Sequence, residues 1–355
     1  MVRRPGVLRL RPVADFSPKR DNIRALLQVP ALVAGRTGAH SALHAAGPQA
    51  ARIAHLWWIA FWISAVVLTY VVVWLLGAAL HRRGRVPPDT DPMTIDHART
   101  RRAEWVVGGS VAVTVVVLLV FLVLSVSTGS AVATIPPGAM EIDVAGHQWW
   151  WEVTYPGDSV HDMVTTANEI HAPVGRPVQF VLTSSDVIHS FWAPSLDGKR
   201  DLIPGHTTRT WFEADTVGVY RGQCAEFCGY QHAHMAFLII ADPPARFAQW
   251  IANQRQPAPT PMDSVTSAGQ HVFLTSPCMN CHTIRGTDAS GKLAPDLTHL
   301  ASRSTIAAGT LPNTRGALAG WILDPQTIKP GNHMPGNNIS PPDLQALLTY
   351  LQSLR

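Results

Sequence analysis

The chain has 355 residues at 38.5 kDa, and at roughly 100–200 residues per domain two or three units are expected. Charged residues make up 15% and apolar residues 46%, against ~25% charged in ordinary soluble chains, which excludes an intrinsically disordered protein and points to segments that never meet water. The net charge of +4 conceals an uneven distribution: residues 1–130 carry 15 Lys/Arg against 6 Asp/Glu, residues 131–255 carry 7 against 13, and residues 256–355 carry 6 against 5. The basic excess therefore belongs to the N-terminal third and gives no reason to expect a nucleic-acid partner. Four Cys fall in two close pairs, Cys224/Cys228 and Cys278/Cys281. That is no disulfide framework, and tight pairs read as metal or haem sites.

Residues 1–50 form an Arg-rich leader. Within it, 1–24 read as the basic part and 25–34 as the short apolar part of a targeting signal, either cleaved or retained. A transmembrane hairpin is expected over 51–130. Residues 56–80 and 105–126 are charge-free runs of 25 and 22 residues, each beyond the ~20 needed to cross a bilayer. Trp57, Trp58 and Trp105 sit at their ends as interfacial anchors. The loop between them, 81–104, holds six Arg. By the positive-inside rule it is cytoplasmic, which puts both chain ends on the outer side of a bacterial cell membrane.

From residue 131 the pattern turns strand-like. Short Val/Ile/Thr/aromatic runs (EIDVAGHQWWWEVTY, VQFVLTSS, TRTWFEAD, GVYRG, MAFLIIAD) alternate with Pro/Gly turns, the signature of an all-β sandwich or barrel. This domain is expected over 131–242. Its chemistry sits in one strand–loop–strand element, where Cys224, Cys228, His232 and Met235 fall within twelve residues. Thiolate and thioether select Cu(I) or zinc, and imidazole suits both metals. A mononuclear blue-copper site takes one Cys, two His and a weak Met, so one Cys is surplus here. The surplus is accounted for if both sulfurs bridge two copper ions, each taking one His, with Met235 and a backbone carbonyl as weak ligands. His189, in DVIHSFWAPS, is then the second imidazole. A disulfide or two plain buried thiols are the alternatives for the Cys pair, and His234 reads as a surface residue.

These residues carry a close resemblance. Cys-x-Glu-x-Cys-Gly-x-x-His-x-x-Met over 224–235, preceded by His-Ser-Phe-Trp-x-Pro-Ser from His189, is similar to the CuA domain of cytochrome c oxidase subunit II, and the similarity spans about 55–242. It implies a cupredoxin-like sandwich and a dinuclear copper centre held by His189, Cys224, Cys228, His232 and Met235 with the main-chain carbonyl of Glu226. It also implies a Mg or Mn ion on the Glu226 side chain, at the contact with subunit I. Trp149, the first Trp of GHQWWW, matches the family residue that lies over the copper site and admits electrons. Trp150 and Trp151 read as ordinary packing. Asp201 in KRDLIPG matches an acid near subunit I. His206 stands where many relatives have Arg, and Glu104 does not match the position of the carboxylate that many relatives place before the second span.

Residues 243–263 run from a helical stretch into alternating Pro at 257–261, a semi-rigid extended linker. A small helical domain is expected over 264–355. Cys278-Met279-Asn280-Cys281-His282 is Cys-x-x-Cys-His, the c-type haem attachment pattern: two thioether bonds fix the porphyrin edge and the next residue meets the iron. A Cys-x-x-Cys redox motif is the alternative. Met334 is the expected sixth ligand, since Met/His ligation is that of cytochromes c, with His333 as its rival. Gly269 and Phe273 lie four apart in one helical stretch. Ser340 can cap a last helix whose Leu344, Leu347, Leu348, Leu351 and Leu354 form one face. This portion resembles class I cytochrome c, an all-α fold. Pro295 matches the residue whose carbonyl fixes the proximal His, with Ala294 where Gly is more usual. A CuA domain followed by a cytochrome c domain is similar to subunit II of the caa-type cytochrome c oxidases of bacteria.

The resemblance implies an enzyme subunit. Electrons from an external cytochrome c would reach the haem c, then the copper pair, then the haem-copper site of subunit I, where O2 becomes water with proton pumping, in a complex with subunits I and III. The tethered haem domain would act as a donor of high local concentration. An electron-input subunit of a nitric-oxide reductase is the second reading. A membrane-tethered copper-binding or delivery protein is the third, and the haem motif counts against it.

Overall fold

The computed structural model describes residues 40–82, 97–159 and 162–355. The targeting signal expected over 1–34, and Arg83 and Arg85 of the loop between the spans, lie outside the described residues. Two long helices come first, α1 (Pro48–Arg82, 35 residues) and α2 (His97–Ala133, 37 residues). At ~1.5 Å per residue each is about 50 Å long, against ~30 Å of hydrocarbon. They overrun the charge-free runs at both ends because helical hydrogen bonding does not stop where the apolar side chains stop. Both are long and apolar enough to cross a membrane, and their apolar windows are 0% buried. Among the described residues nothing covers them, so lipid or a partner must.

Ten strands follow: β1 (Met140–His147), β2 (Trp150–Tyr155), β3 (Val164–Ala167), β4 (Glu169–Pro173), β5 (Val178–Ser184), β6 (His189–Trp192), β7 (Arg200–Leu202), β8 (Thr208–Phe212), β9 (Gly218–Cys224) and β10 (Ala236–Asp242). They form two five-stranded sheets ordered β3-β2-β1-β5-β8 and β4-β10-β9-β6-β7. Alternate side chains of β1, β2 and β5 point inward: Ile142 and Val144, Trp151 and Val153, Phe180 and Leu182 are all 0% exposed. They meet Ile170, Phe237 and Ile239 of the second sheet, the face-to-face packing of a sandwich. Gly222 is required here, because a Cβ on it would lie 2.1 Å from the Phe237 ring. Strands β3, β4, β6 and β7 are only three to five residues long, and the sequence pattern does not announce them. The start of α1 is seated on this domain: Gln49 is buried and donates to the Trp211 carbonyl at 3.2 Å.

Helix α3 (Pro244–Gln254) lies against the sandwich through Phe247, Trp250 and Ile251, with Trp250 stacked on His171 at 4.1 Å. The Pro-rich segment after it does not swing free of the next domain. Ala258 N–H donates to Arg285 O at 2.9 Å, and the His299 ring meets Gln256 O at 3.1 Å. The last domain contains α4 (Ser264–Thr275), α5 (Cys278–Cys281), a two-residue strand pair β11 (Thr305–Ile306) and β12 (Leu311–Pro312), α6 (Arg315–Leu323), α7 (Pro325–Ile328) and α8 (Pro341–Ser353). Asp263, Thr314 and Ser340 accept the first free N–H groups of α4, α6 and α8, the usual N-cap chemistry. Phe273, Leu347, Leu348, Tyr350 and Leu351 form the core.

Helices α4 and α8 cross at Gly269, where a Cβ would lie 2.1 Å from the Ala346 carbonyl oxygen. Gly269→Val is expected to destabilise the haem domain by ~1–3 kcal/mol or more through overpacking, read as a lowered melting temperature of that domain. A second expectation concerns pH. Asp197 is buried; one carboxylate oxygen accepts from Thr210 Oγ1 at 2.5 Å and the other has no partner. Burial, partly opposed by the Thr210 bond, pushes its carboxyl up to about 6. The folded chain then holds a proton that the unfolded chain has released, so stability falls as pH rises from the ordinary carboxylate range through about 6. Asp197→Asn should flatten that part of the curve in thermal melts across the same range.

Candidate copper centre and haem cavity

The loop between β9 and β10 is closed at its base by Cys224 N–H donating to Met235 O at 2.9 Å, and Ala225 N–H ties it to Ser190 O of β6 at 2.9 Å. Inside, the sulfurs of Cys224 and Cys228 stand 3.7 Å apart, unbonded, since a disulfide requires ~2.05 Å. His189 Nδ1 is 3.9 Å from Cys224 Sγ, and the Glu226 carbonyl is 3.2 Å from the same sulfur. His232 Nδ1 is 3.6 Å and Met235 Sδ 3.8 Å from Cys228 Sγ. Each sulfur thus has one imidazole and one weak donor, and all six residues expected from the sequence converge. His234 is exposed and bonds Gln231 Oε1 at 2.9 Å, away from the sulfurs. His206 sits exposed in the turn after β7.

The supports are local. His189 opens β6 opposite Leu202 and is fully buried. Its ring needs the bare backbone of Gly146, where a Cβ would come within 2.8 Å of His189 Cδ2. His189 Nε2 meets Asp186 Oδ1 at 2.7 Å. Burial works against the charged ring, but the bonds to Cys224 and Asp186 outweigh it and hold His189 above its ordinary value. The two thiols titrate as a pair. The hydrogen bond from Cys228 draws Cys224 down to about 4, and the same bond, with burial, drives Cys228 up. Cys224, Cys228 and Met235 are 1%, 2% and 0% exposed. Two soft thiols, two imidazoles, a thioether and a carbonyl in a dry pocket fit a pair of copper ions, whose positive charge would answer the thiolate charge that burial penalises. The Glu226 side chain turns outward, half-exposed, to Lys199 Nζ at 3.1 Å, which also lies 3.7 Å from Asp201.

The second site is a cavity of about 390 Å³ lined by Cys278, Cys281, His282 and Met334. His282 Nδ1 bonds the Pro295 carbonyl at 2.7 Å, which directs Nε2 to the other side of the ring, and burial draws the ring below its ordinary value. A neutral imidazole, a thioether and two thiols at c-type spacing around an apolar space fit a covalent haem. Trp149 and Trp150 of the copper domain complete the wall, which packing arguments from sequence did not foresee for Trp150. Trp149 is 6% exposed, and its Nε1 donates to the Cys228 carbonyl at 2.9 Å. The sequence reading also missed Asp186, three residues before His189, and the interdomain residues Glu169, Gln231 and Lys329. Glu169 Oε1 accepts from Ser304 N, Ser304 Oγ and Thr305 N at 2.8, 2.6 and 3.1 Å. Lys329 is 3% exposed, and burial draws its amine down to about 7.

A membrane-anchored chain that places a thiol–imidazole metal pocket against a haem cavity is an electron-carrying metalloprotein. Residues 156–241 match the family described as Cytochrome C oxidase subunit II, periplasmic domain, and residues 266–355 match Cytochrome c. Cytochrome c oxidase subunit 2 of Alkalihalophilus pseudofirmus is 34% identical over 324 residues, 89% of this chain and 91% of that one. The protein of the same name from Bacillus subtilis is 27% identical, covering 82% and 83%. The crystal structure of the periplasmic domain of subunit II of cytochrome oxidase of Bradyrhizobium japonicum is 31% identical, with a TM-score of 0.33, and covers 34% of this chain and 97% of that one. The chain belongs to the cytochrome c oxidase subunit 2 family, with a cytochrome c domain appended. Membership implies a dinuclear copper centre in the first domain, a haem in the second, and subunit I as partner.

Asp186 fixes the tautomer and orientation of His189. Removing such a carboxylate typically lowers metal affinity ~10–100-fold. Asp186→Asn should lose copper to a competing chelator correspondingly sooner, with the haem band unchanged.

Proposed function

We propose that this subunit admits electrons to the oxidase in the order haem, copper pair, subunit I. The ligands assigned to copper are His189, Cys224, Cys228, His232 and Met235 with the Glu226 carbonyl; those assigned to a covalent haem c are Cys278, Cys281, His282 and Met334. The observation that carries this reading is the symmetric surrounding of two sulfurs 3.7 Å apart, each with one imidazole and one weak donor. When bound, the haem and the copper pair each take up and release single electrons.

The protein's part is to hold ligands still and keep water out. The loop clasp fixes the sulfurs, Asp186 orients the His189 ring and the Pro295 carbonyl the His282 ring, and burial removes the solvent whose rearrangement would otherwise accompany each change of charge. Trp149 is assigned the contact through which electrons reach the copper pocket: it walls the haem cavity and bonds the Cys228 carbonyl. Residues 51–130 are assigned to the membrane hairpin, 131–242 to the copper domain, 243–263 to the connecting helix and linker, and 264–355 to the haem domain.

Both metal-bearing domains are placed on the outer side of a bacterial cell membrane, because the Arg-rich loop 81–104 marks the cytoplasmic side. The donor is an external cytochrome c, and subunit III joins subunit I in the complex. The outward carboxylate of Glu226, with Asp201 nearby, is the proposed position of a Mg or Mn ion at the subunit I contact.

The test is Cys224→Ser with Cys228→Ser in the assembled complex. The expected result is loss of the near-infrared copper band, of the copper spin-resonance pattern of one electron shared by two nuclei, and of oxygen uptake, while the haem c band persists. Retention of the copper signals and of oxygen uptake would overturn the reading.

A further inference from the structure

Resting on the two cofactor assignments above, we propose that Lys329 and Gln231 are positioning residues: they bolt the loop carrying Met334 onto the turn carrying Trp149, so that the haem and copper sites work across a fixed contact.

The contact is built from two hydrogen bonds on successive residues. Lys329 Nζ donates to the Trp149 carbonyl at 2.7 Å and to the Ala307 carbonyl at 3.2 Å, one acceptor in each domain. Gln231 Nε2 donates to the Pro330 carbonyl at 2.7 Å. Gln231 is 6% exposed, and its other amide atom is engaged by the His234 ring at 2.9 Å, so the amide is held from both ends. Directly after the bolts, Gly331 turns back with φ of +81°, and a Cβ there would lie 3.8 Å from Tyr230 and 4.0 Å from Trp149. The Lys329 amine is buried and bonds carbonyl oxygens only. Burying an amine is costly unless its N–H groups find acceptors, and one of its two acceptors belongs to the other domain. Docking is thus part of what satisfies the group.

The bolts meet the two sites at short covalent range. Lys329 and Pro330 precede Met334 in one loop, itself pinned by Gln326 donating to the Met334 carbonyl at 2.8 Å. Gln231 is the neighbour of His232. Trp149 passes the restraint on, since its Nε1 holds the Cys228 carbonyl at 2.9 Å. Glu169 on Ser304 and Thr305, and Ala236 N–H on Ala308 O at 3.0 Å, hold the rest of the same interface. A semi-rigid linker alone would give a donor of high local concentration that must find its orientation anew at each turnover. The interface removes that search.

The experiment uses the full chain in its assembled complex. Lys329→Met, Gln231→Ala and the double variant are compared with the parent by internal electron transfer after flash reduction of the haem, and by amide hydrogen exchange over 146–151 and 329–334. The expected result is that both optical bands persist, the internal rate falls tenfold or more in the double variant, and exchange rises in both segments. Lys329→Arg should recover part of the rate. The parental internal rate should not change with solvent viscosity. Should Lys329→Met fail to load haem, Gln231→Ala, outside the cavity, carries the comparison alone. An unchanged rate and unchanged exchange in the loaded variants, or a viscosity-dependent parental rate, would overturn the proposal. If the parent itself lacked the copper or haem band, the cofactor assignment would fall instead.

Discussion

The structure depends on holding two thiol sulfurs 3.7 Å apart in a dry pocket. Left to themselves, two such groups share one proton: the first thiol is acidified by the second, and the second is made far less willing to ionise. The arrangement is frustrated without cations, because burial penalises each thiolate and each penalises the other. The sandwich supplies the rigidity that keeps the groups there. β9 and β10 fix the loop ends, β6 delivers His189 from the side, and the Gly146 backbone leaves the space its ring fills.

Much of this is legible in the linear chain. The spacing from Cys224 to Met235 implies a closed loop with converging donors, and Cys278 to His282 implies a haem edge, because both are short-range patterns whose chemistry demands their spacing. The long apolar runs are equally plain. What stayed hidden is long-range. Asp186 is one acid among many until β6 turns His189 over it. Lys329 is one lysine in a Pro/Gly loop until the fold buries it, and one of its two acceptors comes from a domain 180 residues away in sequence. Trp150 reads as packing, whereas it stacks on His147 at 4.4 Å and walls the haem cavity. The strands β3, β4, β6 and β7 escape pattern analysis because their pairing, rather than their composition, makes them strands.

The linker shows the same division between local and global information. Alternating Pro predicts an extended spacer, and that local conformation suits a mobile tether. Position is decided instead by what the segment touches: Ala258 and Gln256 bond the haem domain, and Arg285 reaches back to the Gln254 carbonyl. The two domains therefore share an internal wall, and the haem cavity is lined from both.

Glu226 faces two ways. Its carbonyl oxygen points at a cysteine sulfur inside the pocket, while its side chain reaches the outer surface beside Lys199. Only a handful of covalent bonds separate the two ends. A pull on that outer carboxylate is therefore carried through a short covalent path to the peptide oxygen that faces the sulfur.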